Sequence, residues 1–347
     1  MTRTHAGVLA VILDRNRLNL FTRCRGYFIS LIASLKFDRQ ALREMMHTFF
    51  GRKAFESIER SGRQIAGLRE NPNTPDVLVI EANRAGQYYW RDIWAYRELF
   101  AILAWRDVAV RYKQTVIGVA WAIVRPLLAM VIFTFVFGRV AGLPSEGGAP
   151  YPVMVFAGML PWFLFSTILS EASNSLVGNA NLINKVYFPR LIIPASSAVV
   201  ALVDFTINLA ILFGLMVWYG LWPTWRFALL PAFVALAVLA SLGPGFLITA
   251  LNVKYRDFRY IIPFIVQFGL YVSPVGFSSA IVPEQWRFWY SLNPMVGVID
   301  GFRWCVLGGD TRLFAPGFVF NLVTVALILW FGISYFRRTE RSFADLI

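Results

Sequence analysis

The sequence predicts an all-α membrane protein: about six transmembrane helices, an N-terminal amphipathic interface helix, and a re-entrant helical hairpin between helices five and six. Three observations predict it. The chain is 57% hydrophobic and 15% charged, with a mean hydropathy of +0.57, whereas soluble domains carry about 25% charged residues. A soluble chain of 347 residues has too little interior to hide so much apolar surface, and in lipid it need not be hidden. Six apolar stretches fall at 117–137, 151–170, 192–218, 227–251, 260–277 and 317–336, each at or near the roughly 20 residues that cross a bilayer. Lys and Arg gather in alternate connections between these stretches, as membrane topology requires.

Residues 1–76 are basic, carry both histidines, His5 and His47, and end in the turn-rich run Asn71-Pro72-Asn73-Thr74-Pro75. They are read as a cytoplasmic extension with no assigned activity. The apolar run 6–13 is followed at once by Asp14-Arg15-Asn16-Arg17 with no small-residue cleavage site, so it is not read as a signal peptide. Residues 77–116 form the interface segment. Within 92–105, Ile93, Tyr96, Phe100 and Leu103 share one helical face and Trp94 and Trp105 flank it. That is the pattern of an amphipathic helix lying in the membrane interface. Residues 117–347 are the six-helix domain.

Orientation follows from the basic connections. One set carries Lys185 and Arg190, then Lys254, Arg256 and Arg259, then Arg337, Arg338 and Arg341. Arg106, Arg111 and Lys113 precede the first span on the same side. The other set carries only Arg139, Arg226, and three arginines after the fifth span, Arg287, Arg303 and Arg312. The first set is therefore expected to be cytoplasmic, with both termini inside. Cys24 and Cys305 then lie on opposite sides, and no disulfide framework is expected.

The connection 282–316 is apolar and aromatic but broken at Pro283, Asn293-Pro294 and Gly308-Gly309. Met295, Ile299, Phe302 and Val306 mark one face of a helix after Pro294. Two short helices dipping into the outer leaflet are expected here. Irregular backbone at that depth must be shielded by protein or line a wet path.

The chemistry that is missing narrows the function. None of the five lysines follows a glycine, so no phosphate-cradling loop is present and ATP hydrolysis by this chain is not expected. No histidine follows His47, and the spans hold no close carboxylate pair, so no metal or acid–base site is expected in the membrane. The net charge of +13 comes mostly from residues 1–116, with 19 Lys/Arg against 11 Asp/Glu, which argues against a nucleic-acid partner. Two ionisable residues lie inside spans, Arg125 in the first and Asp204 in the third. Intramembrane charges are costly and are functional candidates. The two are expected at similar depth, where they can pair.

The residues also carry a family likeness. Arg97-Glu98-Leu99-Phe100, Ala104-Trp105-Arg106-Asp107, Arg111-Tyr112-Lys113-Gln114-Thr115-Val116-Ile117-Gly118, Trp121 and Pro126 form one block, with Val79-Ile80-Glu81 ahead of it. Asn184-Lys185-Val186-Tyr187-Phe188-Pro189-Arg190, Asn252-Val253-Lys254-Tyr255-Arg256-Asp257, Ser273-Pro274-Val275 and Leu292-Asn293-Pro294-Met295 follow. Together they resemble the permease subunits of type 2 ABC exporters for O-antigen, capsular polysaccharide and teichoic acid, over about residues 77–347. Arg125 stands where that family commonly has Gln before Pro.

The resemblance implies a homodimer in the bacterial inner membrane bound to two copies of a separate ATPase. ATP and magnesium would sit in that partner, with no cofactor in this chain. It implies a channel for a polyprenyl-diphosphate-linked polysaccharide at the dimer interface. Residues 174–185 look like the family's coupling helix, with Asn181, Asn184 and Lys185 as candidate partner contacts. Arg111, Lys113 and Arg125 are candidates to receive the diphosphate. Trp121, Phe133, Phe268 and Tyr271 are candidate channel aromatics, and Trp286, Trp289, Asn293 and Pro294 candidate gate residues. The alternatives are a type 2 exporter of a drug or simple lipid and, further off, a membrane-embedded glycosyl- or acyltransferase.

Overall fold

The computed structural model describes residues 89–343, apart from 114, 115, 184, 187, 256 and 309–313. Residues 1–76, the Val79-Ile80-Glu81 run, Asn184 and the side chain of Lys113 therefore lie outside the described residues. No strand occurs among the described residues.

Helices α1 (Tyr89–Ala95) and α2 (Arg97–Lys113) precede the first span. A turn at Tyr96 separates them, yet Tyr96 N–H still donates to Asp92 O at 3.0 Å and Phe100 N–H to Tyr96 O at 3.1 Å. The first span is α3 (Val116–Phe133), which continues as a π-helical stretch over Thr134–Val140. Then come α4 (Tyr151–Gly178), the four-residue α5 (Ala180–Ile183), α6 (Ile192–Trp218) and α7 (Leu230–Lys254). Helices α8 (Phe258–Val272), α9 (Glu284–Tyr290), α10 (Pro294–Leu307) and α11 (Ala315–Thr339) complete the domain.

Among the described residues, five helices are long and apolar enough to cross a membrane, and α8 is a shorter apolar helix. At 15 residues α8 is about 22 Å long, less than the roughly 30 Å of a hydrocarbon core. The expected span 260–277 thus ends early. The cause is Pro274, which drives Ser273 out of the helical region, to φ −87° and ψ 150°.

Helix α4 is the hub. In its most apolar window 78% of residues are buried, against 11% in the first span. It packs on α3, α6, α7, α8 and α10, while α7 packs on α11. The α7–α11 approach depends on glycine. A Cβ on Gly332 would stand 2.1 Å from Gly243 O, and one on Gly243 would stand 2.9 Å from Leu329 N. Small residues at such crossings let membrane helices pack backbone to backbone.

Two cores result. The larger runs through α4, α6, α7 and α10. The smaller lies at the end of the bundle that carries the basic connections, and contains Tyr89, Leu103, Leu176, Phe246, Phe336 and Phe343. Ile93, Tyr96 and Phe100 pack against it, so the apolar face read from the sequence as lying in the membrane interface is covered by the bundle's own core. Trp94 and Trp105 are exposed.

Candidate functional site

Asp204 lies twelve residues into α6, about 18 Å from its first residue. A carboxylate that far along an apolar helix needs a partner. It has two, both from the last turn of α2. Arg111 Nη2 stands 2.7 Å from Asp204 Oδ2, and the Tyr112 hydroxyl donates to Asp204 Oδ1. Arg111 Nη1 also lies 3.4 Å from Glu171 Oε1 on α4. Because α2 packs along α6, its end reaches the interior of the bundle's length rather than stopping at the basic end.

This corrects the expected pairing of Arg125 with Asp204. Arg125 is exposed on α3, and Asp204 is held by Arg111 instead. One turn further on, Asn208 Nδ2 donates to Asp204 O at 2.8 Å, leaving the buried Asn208 Oδ1 without a partner. A small cavity lined by Thr167, Asp204 and Asn208 with Phe163 and Phe205 adjoins this group.

The opposite end is organised by Arg303 of α10, the one charged side chain among the described residues that is fully buried. Its Nη2 donates to Val275 O at 2.7 Å, Nη1 to Phe277 O at 2.8 Å, and Nε to Met154 O at 3.2 Å. Glu146 Oε1 completes the set at 3.4 Å. Gly158 makes room, since a Cβ there would stand 2.6 Å from Arg303 Nη2. A buried guanidinium is tolerated when its donors are used in this way.

Further bonds pin the same turn. Tyr290 donates to Val272 O at 2.8 Å, Asn293 Nδ2 to Ser273 Oγ at 3.0 Å, and Tyr151 to Gly276 O at 2.7 Å. The turn 272–277 between α8 and α9 is thus held by α4, α9, the Asn293 cap and α10.

The other candidates fall as follows. Trp121, Phe268 and Tyr271 are exposed on α3 and α8. Phe133 is only half-buried, and its ring stands 5.3 Å from that of Phe137 beside Gly276. Trp286 and Trp289 are exposed on α9. Asn293 caps α10, accepting from Met295 N–H at 3.0 Å, and Pro294 takes the first helical position, where its missing N–H costs nothing. Asn181 and Lys185 are exposed between α4 and α6. Of the stretch 174–185, residues 174–178 belong to α4 and Ala180–Ile183 form α5.

The family profile described as ABC-2 type transporter matches residues 98–307. The chain belongs to the ABC-2 type transporter family. It is a multi-pass membrane protein of that family, with both the Arg111–Asp204 group and the Arg303 cluster inside the matched segment. Among its relatives is the O-antigen export system permease protein RfbA of Myxococcus xanthus, 29% identical over 262 residues, which are 74% of this chain and 98% of the relative. The RfbA permease of Klebsiella pneumoniae is 24% identical over 258 residues, 72% and 95% of the two chains. The polysialic acid transport protein KpsM of Escherichia coli is 23% identical over 244 residues, 68% and 92% of the two chains.

Arg303 and Glu146 were missed from the sequence. In the sequence Arg303 reads as one of three arginines in an outer connection. The available signal was its place on α10, one residue beyond Phe302 of the apolar face, in a stretch with few other charges.

Proposed function

We propose that this ABC-2 transporter chain is the permease of an exporter that moves a polyprenyl-diphosphate-linked polysaccharide of the O-antigen or capsule type across the inner membrane. The observation that carries the reading is the likeness, over 92–98% of their length, to relatives whose names specify export of O-antigen and of polysialic acid. Two copies of the permease pair as a homodimer and bind two copies of an ATPase that supplies the energy. Both termini and the basic connections face the cytoplasm, which the Lys/Arg distribution supports.

In this reading the diphosphate is received at the basic end by Arg111, Lys113 and Arg125. The ion pairs of Arg111 with Asp204 and Glu171 offset part of its charge, and Arg125 is exposed on α3, so of these two described side chains Arg125 is the more open to an anion. The sugars pass the exposed aromatics of α3 and α8, whose faces stack on sugar rings without reading one sequence. Helices α9 and α10 dip into the outer leaflet and close the exit. The 180–185 connection docks on the ATPase through Asn181, Asn184 and Lys185.

The test is complementation. Cells lacking the chain should lose surface glycan and accumulate lipid-linked glycan inside, and the intact gene should restore export. Normal surface glycan in the deletion strain, with no second permease gene to account for it, would refute the reading.

A further inference from the structure

The basic end holds a carboxylate that neither the spans nor the channel reading uses. Glu340 follows α11 directly. Its Oε2 accepts from the Tyr89 hydroxyl at 2.9 Å, and its Oε1 from the Arg190 backbone N–H at 2.7 Å. The Arg190 guanidinium donates to the Glu340 backbone carbonyl as well. One side chain therefore ties together the first residue of α1, the end of the 180–190 connection and the end of α11.

The surroundings make this tie stiff. Tyr89 is buried, and the Arg337 guanidinium lies 4.6 Å from its ring centre. Burial, and then the Glu340 carboxylate, push the Tyr89 hydroxyl above its ordinary range, so it stays a donor. Phe343, three residues after Glu340, is fully buried with its ring 5.3 Å from that of Phe336. Leu191, the residue after Arg190, is buried in the same core, as is Ile183 of α5.

We propose that Glu340 is the positioning residue that passes movement of the 180–190 connection to the start of α1 and the end of α11. The proposal rests on the reading of that connection as the ATPase-docking segment. Its physical basis is that a push on 180–185 reaches Arg190 within five residues, and Arg190 is bonded to Glu340 by both backbone and side chain. Coupling between distant elements is carried by chains of packed and hydrogen-bonded contacts. Glu340 supplies the contact between three elements that are far apart in sequence.

The experiment uses the full permease purified with its ATPase in lipid nanodiscs, and export in cells. Readouts are folded yield, ATPase retained per permease, ATP turnover compared with the free ATPase, and glycan exported. Glu340→Ala is expected to fold and retain the ATPase, to return its turnover to the free rate, and to lower export about ten-fold. Glu340→Gln keeps an acceptor for Arg190 N–H and a partner for Tyr89, and should recover most of the coupling. Where Glu340→Ala does not fold, Tyr89→Phe removes one bond and keeps the ring; export should then fall about two- to three-fold at unchanged yield. Wild-type turnover and export in these variants, a loss of export only in step with folded yield, or a wild-type permease that leaves its partner's turnover unchanged would each overturn the proposal. A wrong substrate class appears differently, as a wild-type complex that fails the glycan assay while the turnover comparison still reports coupling.

Discussion

Arg111 Nη2 stands 2.7 Å from Asp204 Oδ2, joining the last turn of α2 to a point about 18 Å along α6. The cation comes from the segment ahead of the first span, and Arg125 inside that span is left for another role. The arrangement fixes where α2 ends, because a one-turn shift of α2 would move Arg111 by about 5.4 Å and strand the carboxylate.

Asp204→Asn and Arg111→Gln should each destabilise the folded protein by about 1–3 kcal/mol, between an exposed pair and a fully buried one, since the Arg111 side chain is 40% exposed and that of Asp204 16%. The double variant should lose less than the sum. Arg125→Gln combined with Asp204→Asn should be additive. Thermal unfolding of the detergent-solubilised chain checks both cycles; coupling of Asp204 to Arg125 but not to Arg111 would contradict the pairing.

Arg303→Ala removes the donors to Val275, Phe277 and Met154, and each buried carbonyl left without one costs about 1–3 kcal/mol. Folded yield should fall steeply. Arg303→Lys keeps the charge but cannot reach all three carbonyls, and should be intermediate. A Glu146→Gln change should be mild, because that contact is 3.4 Å long. Unfolding midpoints for the three variants would contradict the assignment if Arg303→Ala matched wild type.

Gly332→Ala should cost about 1–3 kcal/mol by forcing α7 and α11 apart, since the obstructing atom is the Gly243 backbone oxygen and cannot turn aside. Gly214→Ala on α6 is the control. Nothing lies within 4 Å of its Cβ position, and Ala is the better helix former by about 1 kcal/mol. Melting temperatures should fall in the first variant and hold or rise in the second.

Much of the fold was legible because membrane helices declare themselves by length and apolarity. The face Met295, Ile299, Phe302 and Val306 was read from spacing, and all four are buried on α10. Two things were hidden. The depth of Asp204 follows from counting along α6, but which cation faces it depends on how α2 leans on α6, and helix periodicity carries no information on that. The burial of Arg303 depends on carbonyls from Met154, Val275 and Phe277, residues far apart in the sequence. The early end of α8 was available in principle from Pro274, whose effect on Ser273 outweighs the apolarity of the residues beyond it.

Trp121, Phe268 and Tyr271 are exposed and candidates for the path, whereas Phe133 is packed beside the pinned turn. Alanine at any of the first three should slow glycan export while leaving folded yield and ATP turnover intact, and pairs should slow it further. Phe133→Ala should instead lower stability, by about 1–3 kcal/mol because the half-buried ring leaves only part of a core cavity. Export assays beside unfolding curves separate the two classes. Wild-type export from the variant lacking all three exposed aromatics would remove them from the path.

This chain, with a separate ATPase, is proposed to carry a lipid-linked polysaccharide across a membrane. The most direct measurement loads inside-out membrane vesicles holding both subunits with radiolabelled polyprenyl-diphosphate glycan on the outer, cytoplasmic face. Glycan should become protected inside the vesicles only when ATP, the ATPase and this chain are all present. Protection without ATP or without the chain, or none with all three while a drug or simple lipid is moved, would contradict it.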